Sequence, residues 1–234
     1  MYKKHIITLL AILFIGFTAS SQTDRRAKVF QMSMFANVGA KTLNFENLEK
    51  NNIFLPKTAF NLGAGAHWSY KRILWSSDFY YSQAKLEKSG NLTEYNAFTN
   101  TFYISYKVID KNKVILAPLV GIAMTTNKVS VYDKSFAGDI LNNGSNAYTL
   151  KHHDNAIRIG LNFETVVYLH NTVGVVLGYD YSLNKDAEWE VKGTDNNAGI
   201  SDNFSGFFIN ITIGSWIPLM KNKHKEIKNS IIEE

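Results

Sequence analysis

None of the 234 residues is a cysteine, which excludes a disulfide framework and a lipid attached at an N-terminal cysteine. No apolar run approaches the roughly 20 residues that a membrane-spanning helix needs. The nearest to one, Ile6 to Phe17, follows the basic pair Lys3 and Lys4 and precedes the small residues Ala19 and Ser21, which stand just ahead of Gln22. Residues 1–21 therefore read as a secretory signal peptide, and the chain after it has no helical anchor. Surplus charge is scarce too. Losing Lys3 and Lys4 with no acid lowers the formal net charge from +5 to +3, too little and too dispersed for nucleic acid.

What is present points to strands. The chain is 45% hydrophobic, which argues against disorder, and its 15 Phe, 12 Tyr and 4 Trp favour β structure. The length suits one domain. Eight segments alternate with a period of two: Val29 to Gly39, Phe60 to Tyr70, Ile73 to Gln83, Tyr95 to Val108, Val114 to Met124, Ile157 to Leu169, Val173 to Leu183 and Phe204 to Ile217. The sixth is the clearest, with Ile157, Ile159, Leu161, Phe163 and Val167 on one face against Arg158, Gly160, Asn162 and Glu164 on the other. The fifth is the weakest, because Pro118 cannot donate to a ladder and Leu119 breaks the alternation. Each has the length of about 11 residues that a tilted strand needs to cross a bilayer. Tight links at Lys71-Arg72, 110–113 and 170–172 alternate with longer polar ones at about 40–59, 84–94, 125–154 and 184–203. Short turns on one side and long loops on the other belong to an up-and-down barrel, with both chain ends on the short-turn side.

The contents of the two faces decide what surrounds the barrel. The only charged residues in the eight segments are Asp78, Lys107, Arg158, Glu164 and Asp180, and all five share the polar face with nine glycines. A soluble barrel fills its inside with bulky apolar groups, whereas here the bulky face suits lipid and the small polar face suits a narrow lumen. Aromatics near the strand ends, Trp68, Tyr70, Trp75 and Tyr106 at one side and Phe60, Tyr81, Phe98, Tyr179, Tyr181 and Phe207 at the other, fit two interfacial girdles. The fold class read from the sequence is all-β, an eight-stranded antiparallel up-and-down transmembrane β-barrel over 22–217, followed by a short periplasmic tail, 218–234.

Over residues 28 to 217 this pattern resembles the small OmpA/OmpX-type barrels of Gram-negative outer membranes. The resemblance lies in architecture, and the continuation past Trp216 and Ile217 departs from it, since many such barrels end on an aromatic in the last strand. It implies the bacterial outer membrane, lipid and lipopolysaccharide as surroundings, and an extracellular or periplasmic protein as a possible partner.

Several constellations carry chemical meaning. His67, Asp78, Lys107, Arg158, Glu164 and Asp180 are expected to form a satisfied polar network in the lumen, because buried charges are costly unless paired. With Lys71-Arg72 as a two-residue turn, His67 stands opposite Ser76 and one diagonal step from Asp78, which admits a Ser-His-Asp hydrolase triad beside the simpler reading of a lumen hydrogen-bond network. His67-Trp68-Ser69 matches the loose H-x-S pattern of barrel lipid A deacylases, but at the periplasmic end. His152-His153-Asp154 offers metal-ligand types, with a polar loop edge as the plainer account. Asp186, Asp195, Asn196, Asn197 and Asp202 lack the order of a calcium loop. Sequons at Asn91, Asn143, Asn203 and Asn210 are chance matches in a bacterium, and the tail lysines Lys221, Lys223, Lys225 and Lys228 read as a solvated end. No cofactor is implied. The leading expectation is a non-enzymatic envelope protein acting through its outer loops, with a lipid-modifying barrel enzyme or a narrow channel as alternatives.

Overall fold

The computed structural model describes residues 30–111, 114–133, 148–168, 171–184, 188–193 and 197–218. The expected signal peptide and all of the expected tail but Pro218 lie outside them. Eight long strands are present: β1 (Gln31–Thr42), β2 (Thr58–Tyr70), β3 (Ile73–Lys88), β4 (Asn91–Tyr106), β6 (Val114–Asp133), β7 (Tyr148–Tyr168), β8 (Asn171–Ser182) and β11 (Gly206–Pro218). Three short strands, β5 (Ile109–Lys111), β9 (Glu188–Val191) and β10 (Asn197–Ser201), and one helix, α1 (Glu46–Lys50), complete the described elements. Each long strand pairs antiparallel with the next, and β11 returns to β1 with Ser33 facing Trp216 and Lys41 facing Phe208. The sheet is thereby closed, so no long strand is left as an exposed edge.

Closure turns the period-two pattern into an inside and an outside. Met34, Phe79, Phe102, Val120, Ile159 and Ile211 point outward and are exposed, while Asn37, His67, Asp78, Thr101, Arg158 and Asn210 point inward and are buried. All nine glycines of the eight long strands share the inward parity. Two of them make room for aromatic rings: a Cβ at Gly65 would stand 2.5 Å from the ring of Phe35, and one at Gly178 would stand 2.9 Å from the ring of Phe208. Apolar side chains also enter the lumen. Leu74, Ile115, Ala117 and Trp216 cluster near the short-turn end, and Tyr103, Leu119, Val176 and Phe208 cluster above them. Leu119 is thus no break in the alternation but an inward residue, with Pro118 facing out beside it.

The strands outrun the lengths expected for them. Residues 84–94, expected as a long polar link, continue β3 and β4 to a two-residue turn at Ser89 and Gly90, whose φ values of 55° and 81° are the left-handed pair that a type I′ hairpin requires. The 125–154 link is likewise strand as far as Asp133 and again from Tyr148. The 40–59 link holds α1, and the 184–203 link holds β9 and β10. In this upper part the polarity of the wall inverts. Ala84, Tyr95, Ala97, Val129, Val131 and Leu150 are buried inside, and Lys85 pairs with Glu94 at 2.7 Å on the outside. An apolar interior with a charged exterior is the arrangement of a wall that stands in water, so the inversion marks where the lipid belt stops.

Candidate functional site: the filled lumen and its outer cap

The register of β7 and β8 sets Arg158 directly opposite Asp180 on the inward face. The guanidinium makes a bidentate pair with the carboxylate, Nε to Oδ1 at 2.8 Å and Nη2 to Oδ2 at 2.9 Å, and donates to the Tyr80 hydroxyl at 2.5 Å. It also lies 4.0 Å from the centre of the Phe208 ring. Lys41, two residues past the expected end of the first segment, adds a second cation to Asp180 at 3.1 Å. Two cations on one buried carboxylate form a tightly held plug, because each group has lost water that only its partners replace.

Of the other expected lumen residues, Asp78 stays within electrostatic reach of Arg158 and Asp180, and Glu164, Lys107 and His67 gather around Trp216. Glu164 accepts from Trp216 Nε1 at 2.5 Å, and Lys107 lies 5.6 Å from the centre of the Trp216 ring while pairing with Asp110 at 3.6 Å. His67 faces Ser76, with Nδ1 2.6 Å from Oγ, in the register expected from the Lys71-Arg72 turn. Asp78 does not complete a triad: its Oδ1 has no hydrogen-bond partner among the described residues, and Gly65 is its cross-strand neighbour on β2. The His67 ring is buried between Phe35, with centroids 4.2 Å apart, and Trp216, with centroids 6.2 Å apart. His67 and Ser69 of the H-x-S pattern are both enclosed in the wall of the lumen.

The outer end is closed by a second core, which sequence reasoning missed. Phe45 at the start of α1, Leu48 within it, Trp189 of β9 and Phe204 pack over Tyr95, Val129 and Leu150 of the barrel wall. β9 lies alongside β7, with Leu150 opposite Val191 and Lys151 opposite Glu190. Asp202 ties the two loops together, accepting from Trp189 Nε1 at 3.0 Å and from the Asn47 backbone N–H at 2.8 Å. Burial holds its carboxyl above the usual carboxylate range, against the hydrogen bonds that lower it. The His152-His153-Asp154 run is not a loop edge. It lies in β7 with His152 and Asp154 buried and His153 exposed, so the three cannot converge on one metal ion. His152 stacks on Phe204 at 4.2 Å, and Asp154 accepts from Ser182 Oγ at 2.5 Å. Of the loop Asp and Asn residues considered for calcium, Asp186, Asp195 and Asn196 lie outside the described residues. A cavity of about 10 Å³ lined by Lys41, Asn44, Tyr95, Asn127 and Asp154 remains under the cap, room for about one water molecule.

Removing the carboxylate in Asp202→Ala leaves the indole N–H and a backbone N–H buried without an acceptor. The expected cost is about 1–3 kcal/mol of cap stability. It should appear as new protease cleavage within 183–205 on intact cells while the barrel below stays resistant. Unchanged protection would mean that Asp202 does not hold the cap.

A closed barrel that is apolar outside and polar inside is built to sit in lipid, where every backbone group must be satisfied within the sheet. The protein is an outer-membrane β-barrel by fold. Among solved structures, a major outer membrane protein from Thermus thermophilus is similar at a TM-score of 0.55 and 10% identity, covering 80% of this chain and 99% of that one. Neisserial surface protein A gives 0.46 and 11% over 80% and 96%. Ail, the attachment invasion locus protein of Yersinia pestis, gives 0.47 and 12% over 81% and 99%. No protein-family model and no curated protein matches the sequence.

Proposed function

We propose that this is a non-enzymatic outer-membrane protein that works through the structured extension above its lipid belt, in adhesion, recognition or envelope maintenance, with an extracellular protein as the partner class. The observation that supports this reading is the prolongation of β3, β4, β6 and β7 past the belt around an apolar core of their own. A rigid wall that projects from the surface and carries its own core is a platform for contacts, whereas a conduit needs an open bore. The Lys41–Asp180–Arg158 plug and the cap both oppose conduction. The enclosed His67 and Ser76 argue against hydrolysis, since substrate would have to displace Phe35 or Trp216.

The test is expression in a non-adherent Gram-negative host. The mature chain, beginning near Gln22, should appear in the outer-membrane fraction and require detergent for extraction. Cells carrying it should gain attachment to protein-coated surfaces, and shortening the β3–β4 hairpin above the Gln83 and Asn96 pair should abolish the gain without unfolding the barrel. Single-channel conductance or an altered lipid A mass would instead establish one of the alternatives, and recovery in the soluble periplasm would remove the membrane reading altogether.

A further inference from the structure

The outward face just above the belt carries a juxtaposition that the fold leaves uncompensated. Lys128 of β6 stands directly opposite Lys151 of β7. Side chains directly opposite one another in an antiparallel pair have Cβ atoms about 4.5–5.5 Å apart, and like charges there repel. Among the described residues neither lysine makes an ion pair. Glu94, the acid nearest Lys128 on β4, is taken by Lys85 at 2.7 Å, and Glu190, opposite Lys151 on β9, forms no ion pair with it. Exposed His153 lies two residues toward the membrane from Lys151, with Thr126 Oγ1 3.1 Å from its Nδ1.

The height of the pair identifies what meets it. In the same cross-strand register, Phe98 of the outer aromatic girdle faces Thr126, which in turn faces His153. Lys128 and Lys151 are two residues further along their strands, a rise of about 7 Å along the strand and about 5 Å along the membrane normal at a tilt near 45°. A girdle ring marks the edge of the hydrocarbon, and the headgroup layer beyond it is roughly 5–8 Å deep on each side. Both ammonium groups therefore reach the phosphate level of the outer leaflet, with their aliphatic stems along the wall.

We propose that Lys128 and Lys151, with His153 beneath them, form an outward-facing site for the phosphate group of a lipid in the outer leaflet. One phosphate between the two ammonium groups turns the repulsion into two charge-assisted contacts. The site takes the membrane reading as given and is independent of the adhesive one.

The test uses the whole mature protein, folded in detergent and titrated with diphosphoryl lipid A, bound lipid being counted by native mass spectrometry. Lys128→Gln and Lys151→Gln should each weaken binding about fivefold, and together about 30-fold, the scale expected of single basic residues at an anionic membrane surface. Glu190→Gln, which removes the acid beside the pair, should strengthen it. Lys50→Gln with Lys57→Gln, the same loss of charge away from the belt edge, should leave it unchanged. In vesicles of phosphatidylcholine alone the Lys128→Gln protein should be at least as stable as wild type, because that lipid's phosphodiester is balanced by its own choline and offers no net negative charge to offset the repulsion. Binding that survives the double substitution, falls equally in the Lys50 and Lys57 control, or is matched by lipid A stripped of its phosphates would overturn the site. Failure of the wild type to insert into phosphatidylcholine vesicles would overturn the membrane reading instead.

Discussion

Asp180→Ala is expected to lower the stability of the folded barrel by roughly 3–5 kcal/mol, the largest loss from any single polar residue of the lumen. The substitution leaves Arg158 and Lys41 buried at 0% and 7% exposure with no carboxylate between them. Neither cation has an easy retreat, since Arg158 is held by Tyr80 and Phe208 and Lys41 lies under the cap. Urea titrations of the vesicle-inserted protein, followed by tryptophan fluorescence, measure the loss. The triple change Asp180→Leu, Arg158→Met and Lys41→Met should recover most of it, because exchanging a whole buried ionic group for apolar residues of similar volume is often neutral. A loss under about 1 kcal/mol for Asp180→Ala would mean that water reaches the lumen freely and that the plug is not one.

The second expectation concerns the outer surface. Leu161 and Ile211 are 43% and 47% exposed in a chain considered without its bilayer, while their neighbours Asn162 and Asn210 are 2% exposed. Leu161→Arg and Ile211→Arg should each cost about 2–4 kcal/mol in lipid vesicles, the range for a basic residue at the midplane of a barrel wall. A bimane label at either position should be quenched by brominated acyl chains, and labels at Asn162 and Asn210 should not. Protection of Leu161 and Ile211 from the brominated chains, with Asn162 and Asn210 exposed to water, would reverse inside and outside and dismantle the membrane assignment.

The candidate site was only partly legible in the sequence, and the reason is the range of the interactions involved. His67 and Ser76 are nine residues apart around a two-residue turn, so turn length and parity alone align them. Arg158 and Asp180 needed the length of the β7–β8 turn as well, and Lys41 reaches Asp180 only because β11 and β1 bring the chain ends together. The upper wall was missed for a different reason. Lys85, Glu87 and Glu94 read as a polar link when only the apolar face is followed, yet Ala84 and Leu86, with Tyr95 and Ala97 across the hairpin, keep the same alternation with its sign reversed. A search for period two irrespective of which parity is apolar would have found the strands continuing there.

The sequence by itself determined which way each side chain in the belt points, because orientation in a strand depends on parity and on no partner. The distribution of charge and glycine between the two parities then made the outside lipid and the inside polar. Only the tertiary structure decided which inward groups meet, where the lipid belt gives way to a water-facing wall, and that Phe45, Leu48, Trp189 and Phe204 close the outer mouth. Those facts depend on register carried around the whole ring and on two loops folding back over it. Contacts of that kind link residues more than a hundred positions apart, as Lys41 and Asp180 are at a separation of 139, and nothing local in the sequence encodes them.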